Sequence, residues 1–257
     1  MRFWQAIVMA ITEGVTEFLP ISSTGHMVLA AKIINLAQTD FVKSFEIFIQ
    51  LGAVLAVVIL YIERILNRKK ETLKIAAAFV PTAGIGLVLY KFIKNILLGN
   101  ILVTIGALFI GGVGILLFEK FQTANSKPQD LKIEELSWGK AALIGVFQAV
   151  AVIPGVSRSL MTIYGGMVLG LSKKEAVEMS FILAIPTMVA ATGLDLFKSG
   201  WSFSGSEWTL LGAGFLGAFI SAWVVVKWLL EYIQKHDFKI FGYYRILVAL
   251  VWAIFFI

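Results

Sequence analysis

Six long apolar runs separated by polar loops are the strongest constraint on how this 257-residue chain folds. A helix needs about 20 mostly apolar residues to cross the hydrocarbon core of a bilayer. Hydrophobic residues make up 59% of the chain and charged residues 15%, whereas a soluble domain carries about 25% charge. The sequence therefore predicts an all-α polytopic membrane protein. The predicted spans are 44–62, 75–90, 101–118, 176–197, 208–230 and 243–257.

The absence of cysteine and the modest charge exclude several classes of function. Without cysteine the chain can form no disulfide, thiolate metal site or thiol nucleophile. The net charge of +6 is explained by basic cytoplasmic loops, as the positive-inside rule requires. We therefore expect membrane lipid as a partner and no nucleic acid.

Two shorter apolar stretches are each broken by a proline and by polar residues. In the first broken element (13–26), Glu13 and Glu17 are four residues apart and so face one side of a helix, which Pro20 ends. The second broken element (154–162) begins with a Pro-Gly pair. Broken helices at membrane depth are tolerated where they are buried in protein or line a cavity. We predict that each element is a re-entrant helix pair.

The two broken elements also belong to an internal repeat. A shift of 134 residues pairs Pro20 with Pro154 and Ser23 with Ser157. Three predicted spans separate the copies, and an odd number of crossings gives them opposite orientations. The predicted fold is therefore a pair of inverted-topology repeats. The prediction is one membrane domain, 1–257, with repeat halves at 1–118 and 138–257 and a cytoplasmic connecting loop at 119–137.

The distribution of basic residues predicts the orientation of the chain. With re-entrant elements, four loops lie on one side and hold twelve Lys or Arg, while the opposite side holds five. Because cytoplasmic loops are enriched in Lys and Arg, the richer side is predicted to be cytoplasmic. The first broken element then opens to the outer side.

The first broken element offers three kinds of chemistry. Glu13 and Glu17 supply the hard oxygen ligands that suit a divalent cation. The helix start near Ser23 has free backbone N–H groups that suit a phosphate, and His26 suits proton transfer near neutral pH. A purely structural alternative is that the acids pair with buried bases and that Ser22 and Ser23 only cap a helix.

The second broken element adds a cation that suits phosphate. Arg158 can bind phosphate through two N–H groups at once, or it can act as a counter-ion for the acids. If the repeats meet at the midplane, both elements form one pocket with the parts that phosphoryl transfer requires. Gln50 and Gln148 are predicted to support this pocket. The predicted phosphate-binding set is Ser22, Thr24, Gly25, Ser157, Arg158, Ser159 and Thr162.

These motifs resemble those of a known family, the bacterial undecaprenyl-pyrophosphate phosphatases of the bacitracin-resistance type. The resemblance lies in Glu-Gly-Val-Thr-Glu-Phe-Leu-Pro-Ile-Ser-Ser-Thr-Gly-His at 13–26 and Pro-Gly-Val-Ser-Arg-Ser at 154–159. It extends to Phe-Glu-Ile-Phe-Ile-Gln-Leu-Gly at 45–52 and Ser-Phe-Ile-Leu-Ala-Ile-Pro at 180–186. One position departs, because Leu160 stands where the family usually has glycine.

The resemblance implies a multi-pass enzyme of the bacterial plasma membrane that converts undecaprenyl pyrophosphate to undecaprenyl phosphate for cell-wall synthesis. It further implies a divalent cation such as Mg²⁺ or Ca²⁺, an active site on the outer face, and a homodimer. Glu13 and Glu17 would hold the metal, and either Ser23 or His26 would be the nucleophile, with Ser23 favoured. The implied catalytic set is Glu13, Glu17, Ser23, His26 and Arg158.

Two other classes of membrane protein share parts of this pattern. Membrane acid phosphatases contain a Pro-Ser-Gly-His motif that Ser-Thr-Gly-His at 23–26 superficially resembles, but their nucleophilic histidine would fall at the position of Tyr164. A polyprenyl-phosphate flippase or secondary transporter is the non-enzymatic alternative, since inverted repeats with broken helices are typical of transporters. The combination of acids, serine, histidine and arginine favours the enzyme.

Overall fold

The structure is a computed structural model that describes residues 1–92, 100–124, 130–199 and 203–256. These residues form ten α-helices and no strand, so the predicted all-α polytopic fold is confirmed. Residues 125–129 of the predicted connecting loop and residue 257 of the last predicted span lie outside this description. The helices are α1 (Phe3–Thr16), α2 (Ser23–Ile33), α3 (Asp40–Asn67), α4 (Lys69–Phe92), α5 (Ile101–Ala124), α6 (Trp138–Ala149), α7 (Arg158–Val168), α8 (Lys173–Ser199), α9 (Gly205–Lys235) and α10 (Lys239–Phe256).

Six long helices correspond to the six predicted spans. Within the described residues, α3, α4, α5, α8 and α9 are long and apolar enough to cross a membrane, and α10 adds 18 residues. Several helices extend past the apolar run because a polar cap lies beyond it. Thr39 accepts a hydrogen bond from the backbone of Val42 at the start of α3, and Ser204 accepts one from Glu207 at the start of α9.

The other four helices are too short to cross a bilayer. Helices α1 and α2 have 14 and 11 residues, and α6 and α7 have 12 and 11, whereas a span needs at least about 17. Helix α1 packs against α2, and α6 packs against α7. These two pairs are the broken elements that the sequence predicted.

The helix contacts repeat in an approximate two-fold pattern. Helix α1 packs against α9 as α6 packs against α4, and α3 packs against α9 as α8 packs against α4. Helices α5 and α10, and likewise α3 and α8, pack against each other. These contacts have counterparts when the first five helices are exchanged with the last five, whereas the α7–α8 contact has no comparable α2–α3 contact among the described residues. The residue boundaries of the two halves remain predictions.

Glycines allow the short helices to lie close to the spans. A Cβ atom on Gly145 of α6 would collide with the backbone carbonyl of Ala78 in α4. On the other side of the bundle, a Cβ atom on Gly14 of α1 would collide with the carbonyl of Ala218 in α9. Small residues at such contacts are typical of membrane helices, which pack through close backbone approach.

A network of ion pairs joins the spans α3, α4 and α8. Arg64 of α3 pairs through Nε with Glu71 of α4 at 2.6 Å and through Nη2 with Glu175 of α8 at 2.8 Å. Its third nitrogen, Nη1, pairs with Glu178. One guanidinium therefore compensates carboxylates from two neighbouring helices and connects both halves of the chain.

Candidate active site

The two breaks have the same backbone geometry. Ser22 precedes α2 with φ 74° and ψ 96°, and Ser157 precedes α7 with φ 80° and ψ 117°. Each serine caps its helix, since Ser22 Oγ accepts from Gly25 N at 3.4 Å and Ser157 Oγ accepts from Leu160 N at 3.2 Å. Positive φ is uncommon for residues other than glycine, so a pair of such serines marks structurally equivalent positions.

This equivalence differs by one residue from the repeat read in the sequence. The 134-residue shift pairs Ser23 with Ser157, but the helix caps pair Ser22 with Ser157. The same offset relates Asn35 to Gly170, which have φ 49° and 105° after α2 and α7. The 134-residue shift aligns the two prolines, Pro20 and Pro154. The cap hydrogen bonds of Ser22 and Ser157 instead align the starts of α2 and α7. Ser23 and Arg158 are therefore the equivalent first residues of α2 and α7.

Both of these first residues contact the carboxylate of Glu17. Ser23 Oγ donates to Glu17 Oε2 at 2.5 Å, and Arg158 Nη2 donates to Glu17 Oε1 at 3.1 Å. The side chains of Glu17 and Arg158 are only 3% and 9% exposed, so water weakens this ion pair little. The carboxylate thus joins a hydroxyl from one repeat to a guanidinium from the other.

Helix α8 holds Arg158 in place through Ser180. Arg158 Nη1 donates to the Ser180 carbonyl at 2.7 Å and to its hydroxyl at 3.3 Å. Thr162 Oγ1 also donates to Ser180 Oγ at 2.7 Å. Ser159 Oγ donates to the carbonyl of Leu19 at 2.6 Å, which ties α7 to the first break. Ser159 and Thr162 therefore orient the break, and Arg158 faces the carboxylate.

The ring of His26 is held by Ser22 and Tyr244. Its Nδ1 lies 2.8 Å from the Ser22 carbonyl, and its Nε2 lies 2.8 Å from the Tyr244 hydroxyl. A carbonyl oxygen only accepts, so Nδ1 carries a proton, and in the neutral ring Nε2 accepts from the tyrosine. Both nitrogens thus have partners outside the carboxylate pair.

Glu13 supplies a buried oxygen that the protein does not satisfy. The residue is 1% exposed, its carboxyl lies against that of Glu17, and its Oε1 has no hydrogen-bond partner. No group of three or more His, Cys, Asp or Glu suited to a metal occurs among the described residues. Two carboxylates with one free oxygen nevertheless fit Mg²⁺, which is often bound by one or two carboxylates, substrate phosphates and water.

A cavity of about 220 Å³ opens where the two breaks meet. Gln148 extends into its wall, with Nε2 donating to Thr82 Oγ1 at 3.0 Å and Thr187 Oγ1 at 3.1 Å. Its Oε1 is buried and has no partner. The lining includes Glu17, Ser22, Ser23, Thr24, Gln50, Gln148, Ser157 and Arg158 of the predicted set. The lining does not include Glu13, Gly25, His26, Ser159 or Thr162.

Comparison with known proteins gives a match over nearly the whole chain. Residues 6–251 match the family described as bacitracin resistance protein BacA. The chain belongs to this family. An undecaprenyl-diphosphatase of Aquifex aeolicus is 54% identical over 100% of both chains. Those of Sulfurihydrogenibium and Thermus thermophilus are 45% and 44% identical, over 98% and 99% of this chain and 98% and 97% of theirs.

Three residues near the site of this BacA family member were not predicted from its sequence. Ser180 and Tyr244 are common residue types inside apolar helices, and only the fold brings them to Arg158 and His26. Arg245 carried a clearer signal, because an arginine inside a predicted span is costly and commonly functional. It is fully buried, and within the described part of the chain it donates to backbone carbonyls alone.

Proposed function

We propose that this chain hydrolyses undecaprenyl pyrophosphate to undecaprenyl phosphate and inorganic phosphate. The observation that carries the proposal is the Glu17 carboxylate held between the Ser23 hydroxyl and the Arg158 guanidinium in the wall of a cavity. The names of full-length relatives at 44–54% identity support the same reaction. No contact among the described residues specifically favours the flippase alternative.

The cavity suits the head of a lipid substrate rather than its tail. A volume of about 220 Å³ is far too small for an undecaprenyl chain, which would stay in the bilayer. The pyrophosphate would then enter between the breaks, where the first turns of α2 and α7 present backbone N–H groups. Arg158 would bind the terminal phosphate through two N–H groups.

The contacts indicate how Ser23 would act as the nucleophile. As Ser23 Oγ attacks the terminal phosphorus, its proton passes to Glu17 Oε2, which already accepts a hydrogen bond from it. The bond from the terminal phosphorus to the bridging oxygen breaks, and undecaprenyl phosphate leaves. Glu17 passes the proton from Ser23 to the departing undecaprenyl phosphate and is a base again. Water then attacks the phosphoserine while Glu17 takes a proton from that water, and Glu17 gives this proton to Ser23 Oγ as phosphate leaves.

Arg158 and the acids would manage the charge of the reaction. Charge builds on the oxygens of the terminal phosphate, and a preorganised guanidinium beside them stabilises that state. Glu13 and Glu17 would hold a divalent cation, which supplies further neutralisation of the pyrophosphate when bound. The unpartnered Oε1 of Glu13 is the protein atom that such an ion would satisfy.

The cellular setting is part of the proposal. We place the chain in the bacterial plasma membrane with the cavity open to the outer side, because the basic loops are then cytoplasmic. A homodimer remains a prediction from the family resemblance.

The deciding experiment measures phosphate release by the purified full-length protein in detergent. Undecaprenyl pyrophosphate is supplied with Mg²⁺ or Ca²⁺, and Ser23→Ala and Arg158→Ala serve as matched variants. We expect release by the wild type, and rates about 10²–10⁴-fold lower for the variants. A folded wild type that releases no phosphate with either cation would refute the proposed hydrolysis.

A further inference from the structure

Arg245 is a fully buried cation in the middle of α10. Among the described residues no carboxylate pairs with it, and all four of its hydrogen bonds go to backbone carbonyls. Desolvating a guanidinium without a counter-ion costs free energy. An arginine at this depth therefore needs a reason beyond packing.

Two of its four acceptors are equivalent atoms of the two breaks. Arg245 Nη1 donates to the carbonyl of Pro20 at 3.2 Å, and Nη2 donates to the carbonyl of Gly155 at 2.8 Å. Pro20 lies two residues before the cap Ser22, and Gly155 lies two residues before the cap Ser157. One planar group thus spans the same position of both repeats.

The other two acceptors hold the guanidinium against α5. Nε donates to the carbonyl of Leu108 at 3.3 Å, and Nη2 donates to that of Ala107 at 3.0 Å. Gly111, one turn further along α5, leaves the space that the guanidinium fills, because a Cβ atom there would collide with Nη2. The arginine is therefore also fixed against α5.

We propose that Arg245 is a positioning residue that sets the spacing of the two breaks. By fixing the Pro20 and Gly155 carbonyls it fixes where Ser23 and Arg158, the first residues of α2 and α7, meet Glu17. The inference rests on the proposed hydrolysis for its effect on rate, and on the backbone geometry alone for its effect on spacing. A displacement of about 1 Å in a reacting group can cost about 10²-fold in rate.

The guanidinium shape matters more than its charge in this role. Arginine presents several N–H groups in a rigid plane, whereas lysine presents one compact ammonium on a flexible stem. Arg245→Lys therefore keeps the charge and loses the bridge between Pro20 and Gly155. Gly111→Ala keeps the arginine and pushes its guanidinium out of place. Gly114→Ala, on the same helix, is the matched control, because a Cβ atom there meets nothing within 4 Å.

The test combines kinetics with a distance measurement that does not depend on activity. Because the chain has no cysteine, Val28→Cys in α2 and Val168→Cys in α7 can carry spin labels at two exposed positions. We expect a narrow label–label distance distribution in the otherwise unchanged protein and in Gly114→Ala. The distribution should broaden or shift in Arg245→Lys and Gly111→Ala.

The kinetic prediction is a loss in turnover rather than in apparent affinity. For Arg245→Lys we expect kcat to fall about 10²-fold with a much smaller change in KM. Gly111→Ala should also lower kcat, and Gly114→Ala should leave kcat unchanged. The inference is wrong if Arg245→Lys and Gly111→Ala both fold and keep the wild-type label–label distances. It is also wrong if those distances change while kcat stays at the wild-type value. Failure of the wild type to release phosphate would refute the proposed function, while the distances would still test the role of Arg245.

Discussion

The Ser23 hydroxyl donates a 2.5 Å hydrogen bond to the Glu17 carboxylate. This contact pairs the proposed nucleophile with the proposed base, while both ring nitrogens of His26 have other partners. The other carboxylate oxygen accepts from Arg158. Glu17 consequently links the first residues of α2 and α7, one from each repeat.

Replacing this carboxylate with an isosteric amide should nearly abolish turnover. Glu17→Gln keeps the size of the side chain but provides no base for Ser23 and no anion for Arg158. We expect kcat to fall about 10²–10⁴-fold, the range typical of general-base catalysis. Initial rates of phosphate release at saturating cation provide the measurement.

Glu63→Gln is the matched control for this substitution, since it makes the same chemical change at an exposed position of α3. Its kcat should equal that of the wild type. If Glu17→Gln were folded and as active as Glu63→Gln, a carboxylate base at residue 17 would be excluded.

The choice between Ser23 and His26 as nucleophile can be tested through Tyr244. Tyr244→Phe removes only the hydroxyl that hydrogen-bonds to His26 Nε2. A neutral hydrogen bond contributes about 0.5–1.5 kcal/mol, so kcat should change by less than about tenfold. Ser23→Ala, measured in parallel, should lose far more. Equal and large losses in the two variants would instead implicate His26 in the reaction.

Much of the fold could be predicted because apolar runs and helix breakers are local signals. The six spans and both breaks follow from hydropathy, from Pro20 and from Pro154. The exact register did not follow, because proline identities align the turns while the caps Ser22 and Ser157 align the helices. Position in the repeat was therefore misread by one residue at Ser23.

Site residues that lie in short sequence motifs could be predicted, whereas those that meet only through the fold could not. Glu17, Ser23 and Arg158 lie in short motifs, and the structure brings them into contact. Ser180 and Arg245 act through contacts between residues far apart in the chain. Ser180 accepts from Arg158 at its own backbone carbonyl, and Arg245 donates to the backbone carbonyls of other residues. No residue type in the sequence reveals a contact with a backbone carbonyl. A buried arginine in a span was the only available signal for such a contact.

Close packing of α6 on α4 should make Gly145 intolerant of a side chain. Gly145→Ala places a Cβ atom against the carbonyl of Ala78, so the helices must separate. Overpacking of this kind typically costs about 1–3 kcal/mol, and thermal unfolding in detergent should begin at a lower temperature. Gly139→Ala, on the same helix with nothing within 4 Å of the new Cβ atom, should unfold like the wild type. Equal midpoints for the two variants would contradict the predicted contact.

Cysteine labelling can test the predicted orientation without background, because the chain has no cysteine of its own. Asn67→Cys lies at the end of α3 beside the basic loop, and Ser206→Cys lies in the first turn of α9; both positions are exposed. If the basic loops are cytoplasmic, a membrane-impermeant thiol reagent added to intact cells should label residue 206 and leave residue 67 unlabelled. Permeabilised cells are the control, in which both should react. Labelling of residue 67 alone in intact cells would reverse the orientation and place the cavity on the cytoplasmic side.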